Sequence, residues 1–225
     1  MIAFFYMKIK KLILQTSCLQ RLKEFYSSIL ELAVERTNDK EVFIRIGKSE
    51  LIFTETKESK PFYHFAINIP ANKIEEARDW LKNKVSLLWM EDYKSDIAEF
   101  SDWHARSIYF FDPAGNILEL IARFDLKNER DEAFSSGQFL SIDEVGLVFN
   151  QNELELKTSG LLKNYSLSYF SKQPPLPQFK ALGDDNGLFI VVPAQRNWFP
   201  TNKPSQIFPV KVIIENNNKQ YRLEL

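Results

Sequence analysis

A chain of 225 residues, 44% hydrophobic and 14% aromatic, carries enough apolar material for a packed core in one or two domains. Its net charge of −1, from 29 basic and 30 acidic side chains, leaves no electrostatic footprint for nucleic acid or an anionic membrane surface. A single cysteine, Cys18, excludes an intramolecular disulfide and fits a reducing, cytoplasmic setting.

The opening MIAFFYMKIKK reads as no signal peptide, because its apolar run is short, lacks a leading positive charge and runs into Lys8, Lys10 and Lys11. No stretch approaches the ~18 uninterrupted apolar residues that span a bilayer. Met1 or Met7 is the start, and residues 1 to 6 are an upstream extension or a lengthening of the first strand. KIKKLILQT, residues 8 to 16, reads as that strand. CLQRLKEFYSSIL, residues 18 to 30, has apolar residues at a helical period. Cys18 precedes this helix and is either a reactive thiolate or a small half-buried residue. EVFIRIGKSELIFTE, residues 41 to 55, gives two strands around Gly47-Lys48. The pattern then restarts with the strand FYHFAINIP and the helix IEEARDWLKNKV, residues 74 to 85, for which Asn72 is the expected N-cap. Strands follow at about residues 87 to 99, 105 to 111 and 117 to 124.

LKNERDEAFSSGQ, from residue 126, is charged and then small, as a linker is. A third start follows, with a strand at 142 to 149 and a helix at 153 to 165. FKALGDDNGLFIVV, residues 179 to 192, echoes FIRIGKSELIFTE, and FPVKVII, residues 208 to 214, echoes PFYHFAINI. Either the C-terminal part is a partial copy of the earlier modules, or it is an unrelated β-rich segment. QPPLPQ, residues 173 to 178, belongs to a turn or edge, since proline cannot serve a central ladder. RNWFP, residues 196 to 200, is a loop that covers a pocket or a solvated loop with one anchoring aromatic.

The most telling segment is IYFFDPAGNILELIAR, residues 108 to 123. Asp112-Pro113-Ala114-Gly115-Asn116 is a turn sequence. The chain then enters an apolar strand carrying one carboxylate, Glu119, which is costly to bury without a partner. His64 sits in another aromatic-apolar strand. At strand period it shares a face with Ala66 and Asn68, while Tyr63, Phe65, Ile67 and Ile69 face the helices.

Together these segments and LKEFYSSIL, residues 22 to 30, resemble the vicinal oxygen chelate superfamily. That group includes glyoxalase I, the bleomycin and fosfomycin resistance proteins and the extradiol ring-cleaving dioxygenases. The resemblance covers roughly residues 7 to 125, and more weakly the rest. It implies an α+β protein of tandem βαβββ modules, forming a curled, cup-like sheet with the helices outside. The expected division is a paired module over 1–125, a linker over 126–139 and a partial third module over 140–225, with modules paired within the chain or across a homodimer.

The same resemblance makes His64 and Glu119 the metal ligands, for manganese, iron, zinc or nickel. It places the next ligand at Lys11, which is no ligand and repels a cation, and a further glutamate near Phe53, with Glu55 a weak substitute. A metal is therefore expected to be weakly bound or absent. Three readings stay open for His64 and Glu119: metal ligation, a metal-free cup in which Lys11 or Arg106 pairs with Glu119, or a structural histidine. Asn68, Lys11, Arg106 and Trp103 are the ligand-binding candidates, and Tyr109 and His104 the catalytic ones. His104 is a third ligand or general base, given its near-neutral pKa, or a surface residue. Tyr109 reaches the substrate or packs in the core. The function implied is that of a glyoxalase- or dioxygenase-like enzyme, a metal-dependent lyase, isomerase or dioxygenase acting on a small organic molecule. The alternative is a metal-free protein that sequesters such a molecule, as in bleomycin resistance.

Overall fold

The computed structural model describes residues 6–225. Three passes of one pattern make up most of it. The first comprises β1 (Lys8–Thr16), α1 (Leu19–Glu24, continued by a wider turn over Phe25–Ile29), β2 (Val34–Thr37), β3 (Glu41–Ile46) and β4 (Ser49–Glu55). The second has β5 (His64–Ile69), α2 (Ile74–Lys82), β6 (Ala98–Phe100), β7 (Ala105–Phe111) and β8 (Ile117–Arg123). The third has β9 (Ser141–Phe149), α3 (Leu154–Asn164), β10 (Lys180–Asp184) and β11 (Gly187–Pro193). A last hairpin, β12 (Val210–Asn216) and β13 (Lys219–Glu224), ends the described chain.

In each pass the first strand runs parallel to the last, which pairs antiparallel with the strand before it. The threefold return of strand and helix in the sequence is thus a return of connectivity. The passes are joined through their first strands. β1 lies antiparallel to β12 and β5 antiparallel to β9, both within one chain. The outcome is two sheets, in the orders β13-β12-β1-β4-β3-β2 and β10-β11-β9-β5-β8-β7-β6.

This corrects the expectation that residues 8 to 125 close one sheet on themselves. Residues 8 to 55 belong to the first sheet, and residues 64 to 123 share the second with residues 141 to 193. Every residue of β5 is buried, so both its edges need a partner for their backbone groups. β8 supplies one and β9 the other. Periodicity marks each first strand but is silent on which copy it pairs with.

Smaller differences have local causes. Asn72 does not cap α2; its side-chain amide exchanges hydrogen bonds with the backbone of Arg130, and Lys73 takes the cap position. The strand expected over 87 to 99 reduces to β6, with Leu87 and Met90 making isolated bridges around a turn. β2 and β13 were not anticipated. The question of the start between Met1 and Met7 falls largely on residues 1–5, outside those described. No helix among the described residues is long and apolar enough to cross a membrane.

The turn Asp112–Asn116 ties the passes together. Asp112 Oδ1 accepts the backbone N–H groups of Ala114 and Asn116 at 2.9 and 3.0 Å, and its Oδ2 accepts Asn116 Nδ2 at 2.7 Å. Gly115 takes a φ of 81°, where other residues are strained. The Tyr26 hydroxyl, reaching over from the α1 segment, donates to Asp112 at 3.0 Å. Asn116 Oδ1 in turn accepts the Tyr63 N–H at 2.8 Å, which fixes the entry to β5 one residue before His64. Burial pushes the Asp112 carboxyl up to about 6, against the pull of these donors.

Candidate metal centre and ligand cavity

His64 on β5, Glu119 on β8 and Glu144 on β9 bring one ligating atom each to within 4.8 Å of one another, and all three are buried. The register explains the convergence. His64 pairs with Ile117 and Ala66 with Glu119 across β5–β8, while Glu144 pairs with Leu188 and Gly146 with Ile190 across β9–β11. Ala66 faces Glu144 across β5–β9. A pseudo-twofold between the second and third passes therefore puts Glu144 in the place of His64 and Ile190 in the place of Glu119. Three corners of the site carry polar ligands and the fourth carries isoleucine.

The histidine is set for ligation. His64 Nδ1 lies 3.1 Å from the Ile117 carbonyl, which can only accept, so Nδ1 carries the proton and Nε2 presents its lone pair. That lone pair lies 3.5 Å from Glu119 Oε2. Burial lowers the His64 pKa to about 4, helped by the charge of Arg196 and opposed by the Ile117 carbonyl, so the ring is neutral near pH 7. Burial raises Glu119 to about 7, with the Ser107 and Tyr109 hydroxyls and the Arg123 charge acting in the other direction. Glu144 is held well above the usual carboxylate range by burial and by Glu119 beside it.

Behind the site lies a buried ion cluster. Arg123, fully buried at the end of β8, donates through Nε to Asp143 at 2.7 Å and through Nη2 to Glu144 at 2.5 Å. Asp185 approaches to 3.6 Å and is also held by Lys172 at 2.8 Å. The wholly buried set is thus three carboxylates, Glu119, Asp143 and Glu144, against one guanidinium. Fully ionised it carries two uncompensated negative charges. Protons or a divalent cation must balance them, since isolated buried charge is prohibitively costly. One neutral imidazole nitrogen and two carboxylate oxygens suit a hard or borderline divalent metal.

The site opens into a cavity of about 320 Å³ walled by aromatic rings. Tyr109 and Trp103 line it, as do Phe100, Phe179, Trp198 and Phe199. Trp198 packs over the His64 ring at 5.0 Å between centroids, and Gly146 makes the room: a Cβ there would lie 2.6 Å from Trp198 Cη2. Both RNWFP and QPPLPQ contribute to the wall, through Arg196, Trp198 and Phe199 and through Gln173 and Leu176. Trp103 Nε1 donates to Gln173 at 3.2 Å, linking the two sides of the mouth.

Other sequence candidates fall elsewhere. Lys11 lies in the other sheet, paired with Glu50 at 2.8 Å, because β12 and β4 rather than β5 flank β1. Phe53 and Glu55 lie in that sheet too. Arg106 turns to Glu75 on α2 at 2.9 Å. His104 is exposed, in the left-handed region at φ 53°, and its Nδ1 is 2.9 Å from Asp125. Asn68 is buried but lines a separate polar cleft, where its Oδ1 accepts from Asn128 at 3.1 Å. Cys18 is a half-buried free thiol 3.6 Å from the Thr16 hydroxyl. Glu144 and Arg123 were missed, although IDEVGLVF was read as the third first-strand; the signal was its alignment with FYHFAINIP.

No protein-family model and no curated protein matches the sequence. Among solved structures, the chain is similar to a Bacillus subtilis protein provisionally described as a dioxygenase, with TM-score 0.61 and 13% identity over 99% of this chain and 86% of that one. It is also similar to glyoxalase I from Zea mays, with TM-score 0.57 and 15% identity over 95% of this chain and 75% of that one. At such identities the likeness establishes the fold. The chain has the curled α+β fold that these two structures share.

Proposed function

We propose that this protein is a metal-dependent enzyme of the glyoxalase and dioxygenase type, acting on a small organic molecule in the aromatic cavity. The observation that carries the reading is the buried trio of His64, Glu119 and Glu144, with the free lone pair of His64 Nε2 turned toward carboxylates that lack a full complement of positive charge. A divalent metal held there would act as a Lewis acid on a ligand oxygen. The Ile117 carbonyl fixes the His64 tautomer, and Arg123 fixes the Glu144 carboxylate from behind. The Tyr109 hydroxyl, facing Glu119, is placed to hold or pass a proton at the reacting end of the cavity, and the aromatic wall keeps water out. The reason for expecting weak metal binding is gone, because neither Lys11 nor Arg106 reaches the site. The single free cysteine supports a reducing compartment such as the cytoplasm.

A second reading, metal-free sequestration of an aromatic ligand, is favoured by Ile190 at the fourth corner. Metal analysis of the purified protein decides between them, followed by calorimetric titration of the chelator-treated chain with manganese, zinc, iron and nickel. The metalloenzyme reading expects about one ion per chain, lost in Glu119→Ala. No binding of any of the four metals would leave the sequestering reading.

A further inference from the structure

We propose that the cavity selects a single-ring aromatic monocarboxylate, with its anionic group on Arg196 and its ring against the aromatic wall. The inference rests on reading this cavity as the ligand site and does not require the metal. Arg196 is half-buried at the cavity edge, and no carboxylate among the described residues lies within ion-pair distance of it. Its Nη1 donates only to the neighbouring Asn197 carbonyl at 3.2 Å, and its guanidinium lies 5.1 Å from the centre of the Phe179 ring. The other arginines without a carboxylate partner, Arg21, Arg36 and Arg130, are exposed and well hydrated. Burial alone lowers the Arg196 pKa, whereas carboxylates raise those of Arg45, Arg78 and Arg123. A sheltered guanidinium with no counterion is a ready partner for an anion that arrives from outside, and its planar fork matches a carboxylate.

The ligand's charge and body follow from the other walls. Arg196 is the one cation lining the cavity, so a second anionic group on the ligand would find no counterion there. The rings of Trp103, Phe179 and Trp198 line the cavity and give apolar surface against which a flat ring can pack. A volume of about 320 Å³ is at the small end of small-molecule sites.

The test uses the full chain after chelator treatment, with benzoate, benzyl alcohol and acetate as probes. Calorimetry or quenching of tryptophan fluorescence reports binding, since Trp103 and Trp198 are in the wall. Benzoate is expected to bind about 10- to 100-fold tighter than benzyl alcohol, the range that one sheltered charge-assisted contact supplies, and tighter than acetate through the apolar ring area it buries. Arg196→Gln should abolish the preference for benzoate over benzyl alcohol, and Arg196→Lys should keep part of it. In the same samples Lys11→Ala, in the other sheet, should keep the benzoate preference, and with metal removed by chelator the comparison holds whether or not the site binds one. Failure of the metal reading would therefore leave this assay untouched. Equal affinity for benzoate and benzyl alcohol in the wild type, absence of binding by either, or a preference that survives Arg196→Gln would overturn the proposal.

Discussion

Replacing Arg123 by methionine isolates the buried ion cluster. The guanidinium is fully buried and sits 2.7 Å from Asp143 and 2.5 Å from Glu144. Each contact is worth ~6 kcal/mol in Coulomb terms at an effective dielectric of ~20. Desolvation costs several kcal/mol per ion, so the intact cluster adds little net stability. Removing its only fully buried cation is different, because three carboxylates, Glu119, Asp143 and Glu144, then stay buried without compensation. The expected loss is about 3–5 kcal/mol, or roughly 6–20 °C in melting temperature at 2–4 °C per kcal/mol for a chain of this size. The loss should depend on pH with a definite sign. Burial already holds the folded-state pKa values of Asp143 and Glu144 above their ordinary values, and losing Arg123 raises them further. A carboxyl with a raised folded pKa contributes stability that is present below its unfolded value and lost as pH rises through the folded one. The deficit of Arg123→Met should therefore be larger at an alkaline pH than at a mildly acidic one. Urea unfolding of metal-free wild type and variant at both pH values measures it. A deficit below about 1 kcal/mol at the higher pH, far under the expected cost, or an equal deficit at both, would refute the reasoning.

Glu144→Gln should weaken manganese binding at least about tenfold by the precedent of altered metal shells, while Lys11→Ala, in the other sheet, should leave it unchanged; calorimetric titration of both compares them directly. Metal affinity should fall as pH drops through about 7, where Glu119 takes up its proton, with no further contribution from His64 until about 4. Titrations at several pH values should show that break, and a flat profile across neutrality would exclude it. Gly146→Ala should cost about 1–3 kcal/mol as overpacking does, because its Cβ meets the Trp198 ring and the His64 carbonyl. Near-ultraviolet circular dichroism should show Trp198 displaced, and an unaltered spectrum at wild-type stability would contradict the packing described.

Much of the architecture was legible because its causes are local. Strand parity in residues 64 to 69 put His64 on the cavity side, and the DPAGN turn marked the hairpin that fixes both β5 and β8. The mid-strand carboxylate at Glu119 signalled a site because its burial demands a partner, although Arg123, four residues along the same strand and acting on it, was not read as one. Other assignments needed tertiary structure. Lys11 and Glu144 both lie on first strands, and hydrogen bonding between copies decides which one meets β5. That decision exchanged a repelling ammonium for a second carboxylate beside His64. Arg106 and His104 were displaced by partners, Glu75 and Asp125, that only the folded surface supplies. Arg196 and Trp198 reach the cavity from a loop 132 and 134 residues beyond His64. The sequence by itself determined the modules, the faces of their strands and two of the three candidate ligands, because periodicity and turn chemistry act over a few residues. The third candidate ligand, the buried cation behind it and the lone guanidinium at the mouth were decided by tertiary structure, because long-range strand pairing sets which like-patterned copies meet.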